Sequence, residues 1–269
     1  MNRIEIEKKA LSIRHEQNIQ SCGIKDIFEL IEQMEIDLIR YPFGKDILCG
    51  FSAIYEGKKV MVTNSSEILA REIFTAAHEL AHLLYDFDLN NEDVKVDLDL
   101  TPNRESISEK RADFFAACFL IPAELLRQFI SFQLDKPDFS QLNGLDIVRI
   151  QVEFNVSYSA VIERLKEIKA INYEKAVFLY EEQKRYSSGQ LFKMLNEDAR
   201  LLKPANLVKV PARFLEFVIS NYNNYYVPYS SLNKALQLIN IDASPLKKED
   251  SPAEDQNIDL DELFEELNS

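Results

Sequence analysis

The spacing of apolar and polar residues changes period along this chain, and the changes divide it into elements. Residues 3–20 read as a charged helix with His15 on its surface, and 24–33 as a second helix. Alternation at period two then predicts three strands, 36–41, 47–55 and 58–63, the last two joined as a hairpin by Glu56-Gly57. Helical spacing returns after Asn64-Ser65-Ser66-Glu67, which supply cap candidates and a first-turn acid for a helix ending near Tyr85. Beyond it a loop leads into a strand-like alternation of Val94, Val96, Leu98 and Leu100. A helix follows over 106–121, closed by Pro122, and another over 122–132. Residues 146–154 and 157–169 form a helix-turn-helix-like pair, and a similar cadence returns in 212–222 and 230–239, after a helix at 173–185. The expected fold class is α+β: mainly helical, with a small antiparallel sheet packed on the helix 64–85 and a C-terminal helical module. The expected division is a domain at 1–170, a helical module at 171–243 and an acidic, disordered tail at 244–269.

The helix ending at Tyr85 carries the chemistry. His78 and His82 are four apart, so their imidazoles lie on one face and can close on a single zinc ion. Glu79 stands beside the first of them, where its carboxylate can take the proton of a metal-activated water. The chain has only three histidines, and two fall at this spacing. The flanks Ile73, Phe74, Ala77, Ala81 and Leu84 are apolar, so the helix is expected to be mostly buried, and buried histidines need partners.

A third ligand is expected from the helix 106–121. Glu109 lies in its first turn and Asp113 one turn later on the same side. Glu109 then completes the metal set, and Asp113 accepts the free ring N–H of a ligand histidine, fixing its tautomer. Ser106-x-x-Glu109 is also a capping-box pattern, which offers Glu109 a purely structural role.

Two stretches resemble a known family. Arg71-Glu72-Ile73-Phe74-Thr75-Ala76-Ala77-His78-Glu79-Leu80-Ala81-His82-Leu83-Leu84 is similar to the zinc helix of the ImmA/IrrE metallopeptidases. Glu109-x-x-Ala112-Asp113-x-Phe115-Ala116-Ala117-x-x-Leu120-Ile121-Pro122 is similar to that family's second motif, which carries the third ligand. The likeness extends loosely over residues 20–170. Ala81 stands where the family usually has Gly; Ala is small and favours helix, so no loss is expected. The resemblance implies a thermolysin-like zinc site with His78, His82 and Glu109 as ligands and Glu79 as general base. It also implies protein substrates, helix-turn-helix repressors or antitoxins, in bacterial or mobile-element regulation. A non-proteolytic regulatory or toxin–antitoxin binding protein with a structural or sensing zinc is the alternative. Such enzymes add an oxyanion donor, for which Tyr85 and Arg104 are the candidates here.

Composition narrows the remaining classes. The net charge of −14 argues against a nucleic-acid binder, and half of it lies in 244–269. In that tail Leu260, Leu263, Phe264 and Leu267 recur at helical spacing among acids. Arg164, Lys166 and Lys169 on the second helix of the first pair are offset by Glu163 and Glu167, which favours packing over DNA reading. No apolar run approaches the roughly 20 residues of a membrane span, and the N-terminus is too charged for a signal peptide. Three cysteines (Cys22, Cys49, Cys118) without metal-type spacing fit a reducing cytoplasm. The run from Asp86 to Glu92 imitates the start of a calcium loop but has Asn91 where the turn Gly belongs, so a solvated loop is expected. Edge pairing with an extended substrate is expected from the hairpin.

Overall fold

The computed structural model describes residues 2–45, 47–55, 57–87 and 106–248. Arg40 and Glu72 fix its centre. Strand β1 (Asp37–Tyr41) carries Arg40, and the long helix α3 (Leu69–Tyr85) carries Glu72 in its first turn. The two side chains meet in a bidentate pair at 2.8 and 2.7 Å, both buried. Thr63 of β3 (Lys58–Asn64) donates to the same carboxylate at 2.9 Å. Phe28 of α2 (Ile27–Gln33) lies 3.6 Å from the guanidinium along the ring normal. A fork so satisfied joins sheet, α2 and α3 at one point.

The sheet is mixed rather than antiparallel. β2 (Gly50–Tyr55) and β3 form the expected hairpin, in which Gly57 takes φ +72° at the turn. β1 lies parallel to β3 on its other side, giving the order β1-β3-β2. β1 ends opposite Asn64 and β2 begins opposite Thr63, so the described parts of the loop between them, 42–45 and 47–49, lie at that end of β3. Buried Asn64 holds that loop, donating to the carbonyls of Gly44 and Leu48 at 2.7 and 2.6 Å and accepting from the Phe43 N–H. Among the described residues β2 is thereby left as an edge strand. It also runs close against α3: a Cβ on Gly50 would meet Thr75 Cγ2 at 2.6 Å, so only glycine fits there.

Helix α3 does not begin on the polar residues expected to cap it. Its N-cap is Ile68, without a side-chain cap. The Leu69 N–H instead donates to the Lys203 carbonyl at 2.9 Å, and Ile68 bridges Pro204. Ser65 Oγ donates to the Leu207 carbonyl, and Ser66 Oγ accepts from Gly44. One orphan donor of the helix start, the Leu69 N–H, is thus met by backbone from far along the chain.

Helix α4 (Ile107–Leu120) packs on α3 through Phe115 and Phe119, whose rings stack 5.5 Å apart, with Tyr85 edge-on to Phe115. The charged helix α1 (Arg3–Glu16) leaves His15 exposed and sinks Arg14 into the core, where it donates to the carbonyls of Phe119, Ser21 and Cys22. Pro122 starts α5 (Ala123–Gln128), which runs on into a wider turn at Phe129–Gln133. The pair α6 (Gly144–Phe154) and α7 (Tyr158–Glu167) is joined through Asn155 at φ 54°. Arg164 of α7 is buried, bonded to the Ile121 carbonyl and to Glu167 and Glu7. Its charge therefore faces the interior.

The chain divides after Leu207, into 1–207 and 208–269. Within the first unit, α8 (Tyr173–Arg185), α9 (Ser188–Met194) and Leu201 contribute to the main core, where Leu179, Leu191 and Phe192 are buried. The second unit holds α10 (Ala212–Asn223) and α11 (Tyr229–Gln237) around Tyr222, Leu232, Leu236 and Ala243. The acidic tail from 249, the alternation at 94–100 and most of the calcium-like run lie outside the described residues. Among the described residues no single helix is long and apolar enough to cross a membrane.

Candidate metal centre

One turn of α3 separates His78 from His82, and their Nε2 atoms lie 3.0 Å apart. Glu109 enters from the first turn of α4: Oε2 is 3.1 Å from His78 Nε2 and Oε1 is 3.3 Å from His82 Nε2. Ser106 caps α4 by accepting from the Glu109 N–H at 3.1 Å. Only this half of the capping box forms, since the Glu109 carboxylate faces the histidines.

The outer ring nitrogens are taken. His78 Nδ1 lies 2.9 Å from Asp113 Oδ1, and His82 Nδ1 lies 2.7 Å from Asp86 Oδ2. Each neutral imidazole then carries its hydrogen on Nδ1, and the two Nε2 lone pairs face each other and Glu109. Such a cluster of acceptors calls for a cation. A tetrahedral ion with arms of about 2.0–2.1 Å places its ligands about 3.3 Å apart, close to the separations here. Two imidazoles and one carboxylate therefore fit a divalent metal with one position open to the cleft. Burial lowers the proton affinity of His78, but the bond to Asp113 and the carboxylates of Glu79, Asp113 and Glu109 outweigh it, and its pKa ends above the ordinary value.

Glu79 shares the pocket. It is 8% exposed, and its Oε2 accepts from the buried Ser52 hydroxyl of β2 at 2.9 Å. Burial raises its pKa, against the opposing pull of His78, His82 and Ser52. A carboxylate raised in this way is better suited to taking and returning a proton near neutrality.

The cluster opens into a cleft of about 1180 Å³, whose walls include Cys49, Gly50, Phe74, Phe114, Ile121 and Val156. Tyr85 does not line it. Its ring packs on Phe115 beneath the Arg111 guanidinium, and its buried hydroxyl has no partner among the described residues. Arg104 lies outside the described residues. Two neighbours of the cluster went unread in the sequence. Asp86 is four residues beyond His82, the spacing that puts helical neighbours together, but it also opens the calcium-like run. Ser52 carries no local signal, because its approach to Glu79 depends on β2 lying against α3.

No curated protein matches the chain. A solved structure of a Mycobacterium tuberculosis transcriptional regulator is similar over 60% of this chain and 46% of its own, at 19% identity and a TM-score of 0.41. The IrrE N-terminal-like domain family of M78 peptidases matches residues 19–166, which include both histidines, Glu79, Glu109 and Asp113. With more than half of its length matched, the chain belongs to the IrrE N-terminal-like family of metallopeptidases.

Proposed function

We propose that this protein is a zinc-dependent metallo-endopeptidase that cleaves a protein partner, a helix-turn-helix repressor or an antitoxin. The observation that carries this reading is Glu79: a buried carboxylate held by Ser52 beside the mutually facing nitrogens of His78 and His82. A metal site serving structure alone has no use for such a group. Two His and one carboxylate with an open fourth position are the donor set of zinc hydrolases, which favours zinc over harder ions.

His78, His82 and Glu109 would hold the zinc, which when bound supplies a Lewis acid beside the scissile carbonyl. Glu79 removes the proton of the attacking water and returns it to the leaving amine. Ser52 holds one oxygen of that carboxylate in place. The outer edge of β2, unpaired among the described residues and beginning at Gly50 in the cleft wall, offers backbone groups to an extended peptide, which would add to the sheet as a strand.

The test compares wild type with Glu79→Gln on the repressor-like protein encoded beside the gene. Zinc near one per chain in both, with cleavage lost by about 10²- to 10⁴-fold in the variant, is the expected result. Full cleavage by Glu79→Gln would remove Glu79 as the base. Zinc in both proteins and a tight complex without cleavage would transfer the function to binding and regulation.

A further inference from the structure

His78 and His82 are backed by two quite different carboxylates. Asp113 has a side chain 48% exposed and sits mid-helix on α4. Asp86 has a side chain 21% exposed and is the C-cap of α3 itself. A helix C-terminus carries partial negative charge, so a carboxylate there is disfavoured unless something compensates. Here three donors do so. His82 Nδ1 and Ser108 Oγ each lie 2.7 Å from Asp86 Oδ2, and an Arg111 guanidinium nitrogen bonds Oδ1. The guanidinium is itself laid over the Tyr85 ring, 5.0 Å from its centroid.

Ser108 and Arg111 stand on either side of Glu109 in the first turns of α4. The turn that presents the Glu109 carboxylate to the histidines therefore also grips the residue that orients His82. We infer that Asp86 is a positioning residue of the metal centre: it fixes His82 as the Nδ1–H tautomer and, through Ser108 and Arg111, ties the placement of His82 to that of Glu109. The inference rests on reading the cluster as a zinc site. The ring gains basicity from the carboxylate behind it, and the lone pair of Nε2 is held toward the other two donors before the ion arrives. Asp113 does the same for His78 alone, since its contact at the site is with that one ring.

The experiment is zinc affinity of the full-length protein, measured by competition with a chelating dye, alongside thermal unfolding in excess chelator. Asp86→Asn is expected to weaken zinc binding by about 10- to 100-fold. The melting temperature of its metal-free form should move much less than that of its zinc-loaded form. Ser108→Ala leaves Asp86 in place and should weaken zinc by a smaller factor. Adding Ser108→Ala to Asp86→Asn should then cost almost nothing further, because both act through one contact. Unchanged zinc affinity in Asp86→Asn overturns the inference, as does a loss matched by equal destabilisation of the metal-free protein. Should Asp86→Asn fail to fold, Ser108→Ala decides: zinc affinity equal to wild type rejects the inference. A wild-type protein that takes up no zinc would instead sink the zinc reading, and this inference with it.

Discussion

Residues 1–207 and 208–269 bury apolar side chains on different scales. In the first unit Leu80, Phe115, Phe119, Phe154 and Phe192 are wholly enclosed, and even charged groups such as Arg14, Glu72 and Arg164 are buried with partners. In the second, the described core is Tyr222, Leu232, Leu236 and Ala243, while Phe217 and Tyr226 stay 67% and 77% exposed. The difference follows what each unit must hold still. A three-donor cluster with separations near 3 Å tolerates little drift, and drift is limited by dense packing and satisfied polar groups. A unit with so small a core has little stability to spare, whatever its role.

The sharpest way to break that contrast is to remove the fork under the cluster. Arg40→Ala leaves the Glu72 carboxylate buried with Thr63 as its only other bonded side chain among the described residues. Breaking a buried pair from one side costs about 3–5 kcal/mol. Denaturant unfolding of the metal-free protein should lose that amount in the transition assigned to the first unit. A loss under about 1 kcal/mol would mean that the pair does not bear on the placement of α3.

Leu232→Ala probes the other side. Leu232 is wholly buried in the small core, and its truncation should cost about 2–3 kcal/mol, the low end for such a change because a thin core relaxes readily. Circular dichroism should show the melt of the second unit moving down while zinc affinity stays at the wild-type value. If zinc affinity fell with it, the two units would be energetically coupled and the contrast drawn above would be wrong.

The same contrast explains what the sequence could reveal. The gathering of His78, His82 and Glu109 was legible because it rests on spacings of four within helices and on one paired motif. The helix pair of the second unit was legible for the same reason, as local periodicity. What depended on distant partners was not. Ile68 is an N-cap because Lys203 and Pro204 lie against it, and no residue near Ile68 announces that. The packing of 171–207 has the same origin: its helices read locally as a helical run, and only long-range contact puts Leu179, Leu191 and Phe192 in the main core. The parallel pairing of β1 is a long-range outcome too: Asn64, by sequence a helix-cap candidate, bonds the carbonyls of Gly44 and Leu48 between the two flanking strands instead. Ser52 reaches Glu79 only once that strand order is set. Local period thus told which elements form, and long-range backbone contacts decided how they meet.

The smallest expected effect appears only in alkali, and only in the first unit. All three cysteines lie there, and Cys118 of α4 is buried. Burial pushes its thiol up to about 12 from an ordinary 9.0, with Glu7 and Glu167 adding and Arg164 opposing. Tyr180 is raised to about 12 in the same direction, by burial and then by its bond to Glu163. An acid whose folded pKa is raised contributes stability that is fully present below its unfolded pKa and is lost as pH rises through the folded one. The first unit should therefore hold its stability up to about pH 9 and lose it steadily toward about pH 12. Cys118→Ala removes the thiol's share, so its unfolding midpoint should fall less steeply than wild type across that range. The comparison is made in chelator, so that metal loss does not enter it. Parallel curves for the two proteins would mean that the thiol ionises as easily in the folded chain as in the unfolded one, which its enclosure by α4 and its neighbours forbids. The second unit has no cysteine, and its transition should show no difference between the two proteins at any pH.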